Sequence, residues 1–155
     1  MRRVRSRLGR LTLADYWSLG RAYLYLLRAG WQLFVRHQRI DRWAQPSAIE
    51  EAVALTPAQR SALCRKARWV NFAARHTWPQ ARCLQRSLAL CLWLERQGWQ
   101  PRLQIGVRKQ GAALEAHAWV EQGGEVINDR LAVTSRFMRL STFRPEAIRE
   151  WRKAI

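Results

Sequence analysis

Apolar positions change period once along this chain, and the change divides it into a helical part and a strand part. Over residues 11–35 the steps are three and four. Leu13, Trp17, Arg21, Leu24 and Arg28 follow one another at helical spacing, amid Tyr16, Leu19, Tyr23, Leu26, Leu27, Trp31 and Phe34. The segment reads as one long helix or a broken pair, weakened at Gly20 and Gly30 by about 1 kcal/mol each relative to Ala. So much apolar surface needs cover, which favours packing on the domain behind it. A partner or a membrane interface is the other use of such an Arg- and Trp-rich face. Residues 41–49, with Pro46, form a connection. A second helix then opens at Thr56, with Pro57 at its first position and Gln59 closing a capping box. Leu63, Ala67, Val70 and Ala74 share one face of it with Cys64 beside them, and Trp78-Pro79 stops it near His76.

The third helix, 82–97, ends before Gly98. Advancing 100° per residue puts Cys83, Leu84, Ser87, Leu88, Leu90, Cys91, Leu92 and Leu94 on one continuous arc. Arg82, Gln85, Arg86 and Arg96 lie opposite, together with Ala89 and Trp93. The helix is therefore expected to be mostly buried, with Cys83 on the inward side of its first turn and Ser87, Leu90 and Leu94 behind it. Past Gly98 the period becomes two. Leu103, Ile105 and Val107 alternate with other residues in a strand at 102–109. In the next strand, 114–121, Leu114, Ala116, Ala118 and Val120 face one way, and Glu115, His117, Trp119 and Glu121 the other. Gln122-Gly123-Gly124 turns the chain into a third strand at 125–129, and a short helix starts at Pro145. Helices followed by an antiparallel meander predict an α+β fold.

Composition narrows the picture. A chain of 155 residues is one domain by size, and an apolar content of 48% excludes a disordered chain. No window is long and uncharged enough for a membrane span. Residues 1–10 carry five arginines without the apolar run and cleavage site of a secretory signal. Three cysteines without a CxxC pair support neither a disulfide framework nor a metal site, so a reducing cytoplasm is expected. Lys and Arg number 28 against 11 acids, a net charge of +17. The first 48 residues hold ten Arg and two acids, and the remainder 18 basic and nine acidic residues, so the charge is no mere tail. Such a field attracts nucleic acid, acidic peptides or an anionic membrane. No zinc-finger, homeodomain or RNP pattern accompanies it.

Three residues could carry chemistry together. A thiol that attacks an acyl group needs a base, and the base needs an orienting partner. A helix N-terminus favours the thiolate through its partial positive charge and unpaired amides, and Cys83 holds that position. His117 can approach it if its strand packs on the helix, and Asp129, at the end of the neighbouring strand, can hold the other ring nitrogen. Singly, each has a plainer use: a buried Cys, a hydrogen-bonded His, a turn Asp. His37 and His76 lie in segments without comparable geometry.

The same residues carry a resemblance. Arg82-Cys83-Leu84, Arg86-Ser87-Leu88, Gly98, Ile105-Gly106-Val107 and Ala116-His117-Ala118-Trp119-Val120-Glu121 make the stretch from Leu63 to Asp129 similar to the transglutaminase-like leader protease of lasso-peptide biosynthesis. The form it resembles is the stand-alone one, without a fused leader-recognition domain. The resemblance implies a papain-like, transglutaminase-like cysteine-protease fold whose sheet packs on the catalytic Cys helix. It implies a basic helical segment over 1–48 and a peptidase domain over 49–155. Its catalytic Cys, His and Asp fall on Cys83, His117 and Asp129. The implied activity is removal of the leader from a ribosomally made lasso precursor through an acyl-enzyme, without metal or cofactor. The backbone amide of Cys83 would be an oxyanion donor, with Gln80 a second candidate. The implied partners are the precursor, a separate leader-recognition protein and an ATP-dependent cyclase that closes the macrolactam. Specific nucleic-acid binding is not expected, and peripheral membrane contact stays open. The alternative is a basic nucleic-acid- or partner-binding scaffold on a degenerate version of the fold.

Overall fold

The computed structural model describes residues 12–34, 54–77, 80–110 and 113–139. The expected connection at 41–49, the tail helix from Pro145, and His37 lie outside these residues. The elements are α1 (Leu13–Phe34), α2 (Pro57–Arg75), α3 (Cys83–Glu95), β1 (Arg102–Gln110), β2 (Ala113–Gln122), β3 (Glu125–Val126), α4 (Leu131–Thr134) and β4 (Met138–Arg139). This is the α+β order that the change of period predicts.

Each helix boundary has a local cause. Thr56 Oγ1 accepts the Gln59 N–H at 3.3 Å while the Thr56 N–H donates to Gln59 Oε1 at 2.9 Å, so the expected capping box opens α2. At the end of α3, Gly98 takes φ +82°, and the Trp99 and Gly98 amides donate back to Leu94 and Glu95. That pairing is a Schellman stop. α1 is one unbroken helix despite its two glycines. Gly30 has a packing reason: a Cβ there would meet Gln85 Nε2 at 2.9 Å, and that amide donates to the Leu26 carbonyl at 3.1 Å.

One apolar core joins the three long helices to the sheet. α1 contributes Ala22, Leu26 and Ala29; α2 contributes Leu63, Ala67, Val70, Ala73 and Ala74; Leu103, Ala118 and Val120 come from the strands. α3 runs through the middle, and every residue from Ser87 to Leu94 is buried. This corrects the two-sided wheel of the sequence. Ala89 and Trp93 do not face solvent, because α1 lies over them; Tyr25 stacks on Trp93 with ring centroids 5.8 Å apart.

The sheet is antiparallel in the order β3-β2-β1-β4. β1 and β2 pair over their whole length, with Gly106 opposite His117 and Arg102 opposite Glu121. Gly123 and Gly124, both at positive φ, make the hairpin turn into β3. The third strand is shorter than its predicted span of 125–129. Pairing stops at Val126, and after one more backbone bond, from the Ile127 N–H to the Val120 carbonyl, the chain leaves the ladder. A side chain takes over: Asn128 Oδ1 accepts the Val120 N–H at 2.8 Å. The sequence pattern also gave no sign of α4 or of β4, which pairs with the far side of β1 at Gly106 and Val107.

Candidate active site

The middle of β2 alternates as the sequence predicts. Ala118 and Val120 enter the core, while His117 and Trp119 take the opposite face. Trp119 is fully buried there, its indole N–H donating to Glu121 Oε1 at 2.8 Å. Glu121 is itself buried and also accepts from Arg139 at 2.9 Å, so its charge is paired. The His117 ring lies 6.2 Å from the Trp119 ring and 5.1 Å from the Phe137 ring. Gly106 makes this wall possible. A Cβ at that position would come within 2.7 Å of Phe137 Cβ and 2.8 Å of the Trp119 ring. Arg108, ion-paired to Glu115 at 2.6 Å, lies over the outer side of Phe137.

His117 Nε2 is 2.6 Å from Asp129 Oδ2, both side chains being largely buried. With a carboxylate as acceptor, Nε2 carries the hydrogen and Nδ1 is left with its lone pair. The other Asp129 oxygen accepts the Arg130 N–H at 2.7 Å, which fixes the plane of the carboxylate. Asp129 gets its position from its neighbour. Asn128 bonds β2 through Oδ1, donates through Nδ2 to Ser87 Oγ at 2.9 Å, and accepts at its backbone carbonyl from Asn71 at 3.1 Å. Ser87 in turn donates to the Ala118 carbonyl at 2.9 Å. The hydroxyl and the amide thus fill the stretch of β2 edge that β3 leaves open, and they tie α2, α3 and the sheet together beside His117.

Cys83 is the first residue of α3, partly buried, and one helical turn before Ser87 on the same face, a spacing of about 5–6 Å. The helix that carries it is therefore docked at the strand position next to His117. The structure joins His117 directly to Asp129; among the described residues, no hydrogen bond joins the Cys83 thiol to either. Arg82 supplies the extended backbone of an N-cap, but its side chain makes no cap bond. The first amides of α3 are thus left without a side-chain acceptor from the cap, the condition for receiving an oxyanion. Gln80 is exposed three residues earlier.

The other two cysteines differ in setting. Cys91 is completely buried mid-helix, and burial pushes its thiol far up from its ordinary range, so it stays protonated and inert. Cys64 is partly buried on α2. His76 closes α2, its Nδ1 2.8 Å from the Phe72 carbonyl.

Residues 27–142 match the family described as the Transglutaminase-like superfamily. The chain belongs to that superfamily. Its helices and antiparallel sheet are the α+β, papain-like arrangement, and the superfamily is in general one of cysteine-protease-type enzymes. No curated protein and no solved structure matches the chain. No helix among the described residues is long and apolar enough to cross a membrane.

Within this transglutaminase-like domain, sequence reasoning missed the parts that hold the candidate residues in place. Asn128 lies unremarked within the strand predicted at 125–129, Ser87 reads only as a core position behind Cys83, and Asn71 and Phe137 carry no signal. One signal was present: a glycine in mid-strand opposite His117 marks a place where other side chains approach the backbone closely.

Proposed function

We propose that this transglutaminase-like domain is a cysteine peptidase in which Cys83 is the nucleophile, His117 the base and Asp129 the group that orients the base. Its substrate is a ribosomally made lasso-peptide precursor, from which it removes the leader. The observation that carries the reading is the 2.6 Å contact between His117 Nε2 and Asp129, which turns the basic Nδ1 outward from the pair. The Ser87 bond to the Ala118 carbonyl, one residue along β2 from His117 and one turn along α3 from Cys83, supports it. The lasso specificity rests on the motifs around Cys83 and His117.

The chemistry follows from these groups. His117 Nδ1 takes the thiol proton, and the sulfur attacks the carbonyl carbon at the leader–core junction. The developing oxyanion is received by the free amides at the α3 start, that of Cys83 first. His117 then returns the proton to the leaving amine, which departs as the new N-terminus of the core peptide. The leader remains as a thioester on Cys83. Water, deprotonated by His117, attacks the thioester, and the leader leaves as a carboxylic acid while the thiol is restored. The freed amine is what a separate ATP-dependent cyclase needs for macrolactam closure. A separate recognition protein holds the leader while cleavage occurs.

The test is mass spectrometry of a precursor incubated with the full chain and a leader-recognition protein. The native protein yields two fragments; Cys83→Ala yields none while its circular dichroism and melting stay native. Normal cleavage by Cys83→Ala overturns the assignment. Iodoacetamide separates a peptidase from an inactive scaffold: Cys83 is alkylated well ahead of Cys64, and Cys91 is spared. Equal rates at Cys83 and Cys64 favour the scaffold.

A further inference from the structure

Among the described residues, the outward face of α1 is apolar and exposed. Leu13, Trp17, Leu24, Leu27 and Trp31 recur at steps of three, four and seven residues, and they are between 58% and 81% exposed. Tyr16 extends the stripe, at 57% exposed. Gly20 lies in the middle, with nothing within 4 Å of where a side chain would begin, so the stripe has an open notch there. The opposite side of the same helix is the one that packs, through Ala22, Leu26 and Ala29. α1 is thus apolar on two sides, and among the described residues one of them is buried in the core. A helix this exposed is not explained by scattered surface hydrophobes.

Charge decides what fits. Arg21 and Arg28, both exposed, flank the stripe seven residues apart. The only acid in α1 is Asp15, and it is turned back on Thr12, whose N–H and Oγ1 both donate to Oδ2 at 2.9 Å. Those two bonds, with the Arg65 charge a minor contributor, hold its carboxyl below the usual carboxylate range. Residues 1–34 carry seven arginines against that one acid. A second copy of this helix would bring arginine to arginine with no carboxylate to meet it. An anionic bilayer satisfies both halves of the surface. Leu and Trp side chains enter the headgroup–acyl boundary, and guanidinium groups meet lipid phosphates without any fixed register. With Asp15, Arg21 and Arg28 in its length, α1 is not apolar enough to cross a membrane. We propose that the outward face of α1 docks the protein on anionic lipid, with the catalytic domain carried on the helix's other side.

Flotation of the full chain with vesicles tests this. Binding is expected to vesicles of phosphatidylglycerol in phosphatidylcholine and to be weak with phosphatidylcholine alone. Trp17→Ser/Leu24→Ser/Trp31→Ser lowers the partition coefficient by more than about tenfold at unchanged melting temperature, because these side chains are largely exposed and lie outside the core of the described residues. Arg21→Glu/Arg28→Glu lowers it by about tenfold or more, and added salt weakens what the native chain retains. Three results overturn the proposal. Unchanged binding by the triple variant would mean that the basic surface elsewhere suffices. A fall in its melting temperature would mean that the stripe is covered by the chain itself. Absence of vesicle binding, with a native dimer that the triple variant abolishes or with stoichiometric capture of a leader-recognition protein, would make the face a protein interface.

Discussion

Two helices that share a core begin in opposite ways. At α2 every local demand is met: Thr56 and Gln59 exchange hydrogen bonds, and Pro57 occupies the position where a missing N–H costs nothing. At α3 the N-cap is Arg82, whose side chain bonds to none of the amides. A Ser, Thr or Asp there would add about 1 kcal/mol of stability. The two starts also differ in what holds them. α2 opens toward solvent and is fixed by its own cap. α3 is fixed one turn further in, by Ser87 and Asn128 against the edge of β2. The contrast shows two ways of fixing a helix start: α2 satisfies its own first amides, whereas α3 leaves them without a side-chain acceptor from the cap and is anchored from behind.

The largest expected effect comes from cutting that anchor. Asn128→Ala removes the acceptor for the buried Val120 amide and the donor to Ser87, and it destabilises the domain by about 2–3 kcal/mol in urea melts. Cleavage falls about a hundredfold or more under conditions where the variant is still folded, because Asp129 and the α3 start both lose their placement. Asn128→Asp keeps the acceptor for the Val120 amide, but it loses the donor to Ser87 and sets a carboxylate against that oxygen and beside Asp129, so it too lowers both readouts. Native cleavage by folded Asn128→Ala would show that α3 is held some other way.

Gly106→Ala tests the far wall. The added methyl group meets Phe137 and Trp119 at under 3 Å, and neither has a free path away, since Trp119 is buried and tied to Glu121. Overpacking of this kind costs about 1–3 kcal/mol. The His117 ring, stacked among those two, is re-aimed, and kcat falls more than the melting curve alone accounts for. Phe137→Ala in the same background does not rescue the protein, because it keeps the Cβ that the new methyl meets and leaves the Trp119 ring in place. A Gly106→Ala protein that matches the native one in both readouts would remove the wall from the site.

Arg82→Ser sharpens the comparison by giving α3 the kind of cap α2 has. The serine oxygen accepts from the second or third amide of the helix, raising stability by about 0.5–1 kcal/mol. The same oxygen offsets the positive end of the helix where the oxyanion would form, so kcat falls by about tenfold. Stability and rate move in opposite directions, which a general disturbance of the fold would not produce. If both rise, the open start of α3 has no catalytic use.

The sequence made α2 legible because its signals are local. Thr56, Pro57 and Gln59 sit within four residues, and the helix begins where they place it. The change from period 3.6 to period 2 at Gly98 was legible for the same reason, as was the pairing of His117 with Asp129, which needs only one hairpin. The anchor was not. Asn71, Ser87, Ala118 and Asn128 come from α2, α3, β2 and the chain after β3, and no spacing rule links them. The strand predicted at 125–129 failed at the same point, because an asparagine side chain can imitate a backbone partner and no alternation pattern reveals it. The buried outer arc of α3 failed through context too. Trp93 reads as outward on its own helix and is inward only because α1 covers it.

The smallest effect is expected at the closed start, and it completes the comparison. Thr56→Ala removes the acceptor for the Gln59 amide and frees the Gln59 side chain from the Thr56 N–H. Thr56, Pro57 and Gln59 are all exposed, so water replaces the lost partners and the cost stays near 1 kcal/mol, within the range of measured cap deletions. No core contact and no member of the Ser87–Asn128 anchor is touched. The melting midpoint should therefore drop by a few degrees, as expected for about 1 kcal/mol in a domain of this size. The cleavage rate per folded molecule should stay native. A rate that fell with the α2 cap would mean that strain at α2 travels through Asn71 to Asn128, and the two helix starts would then be coupled.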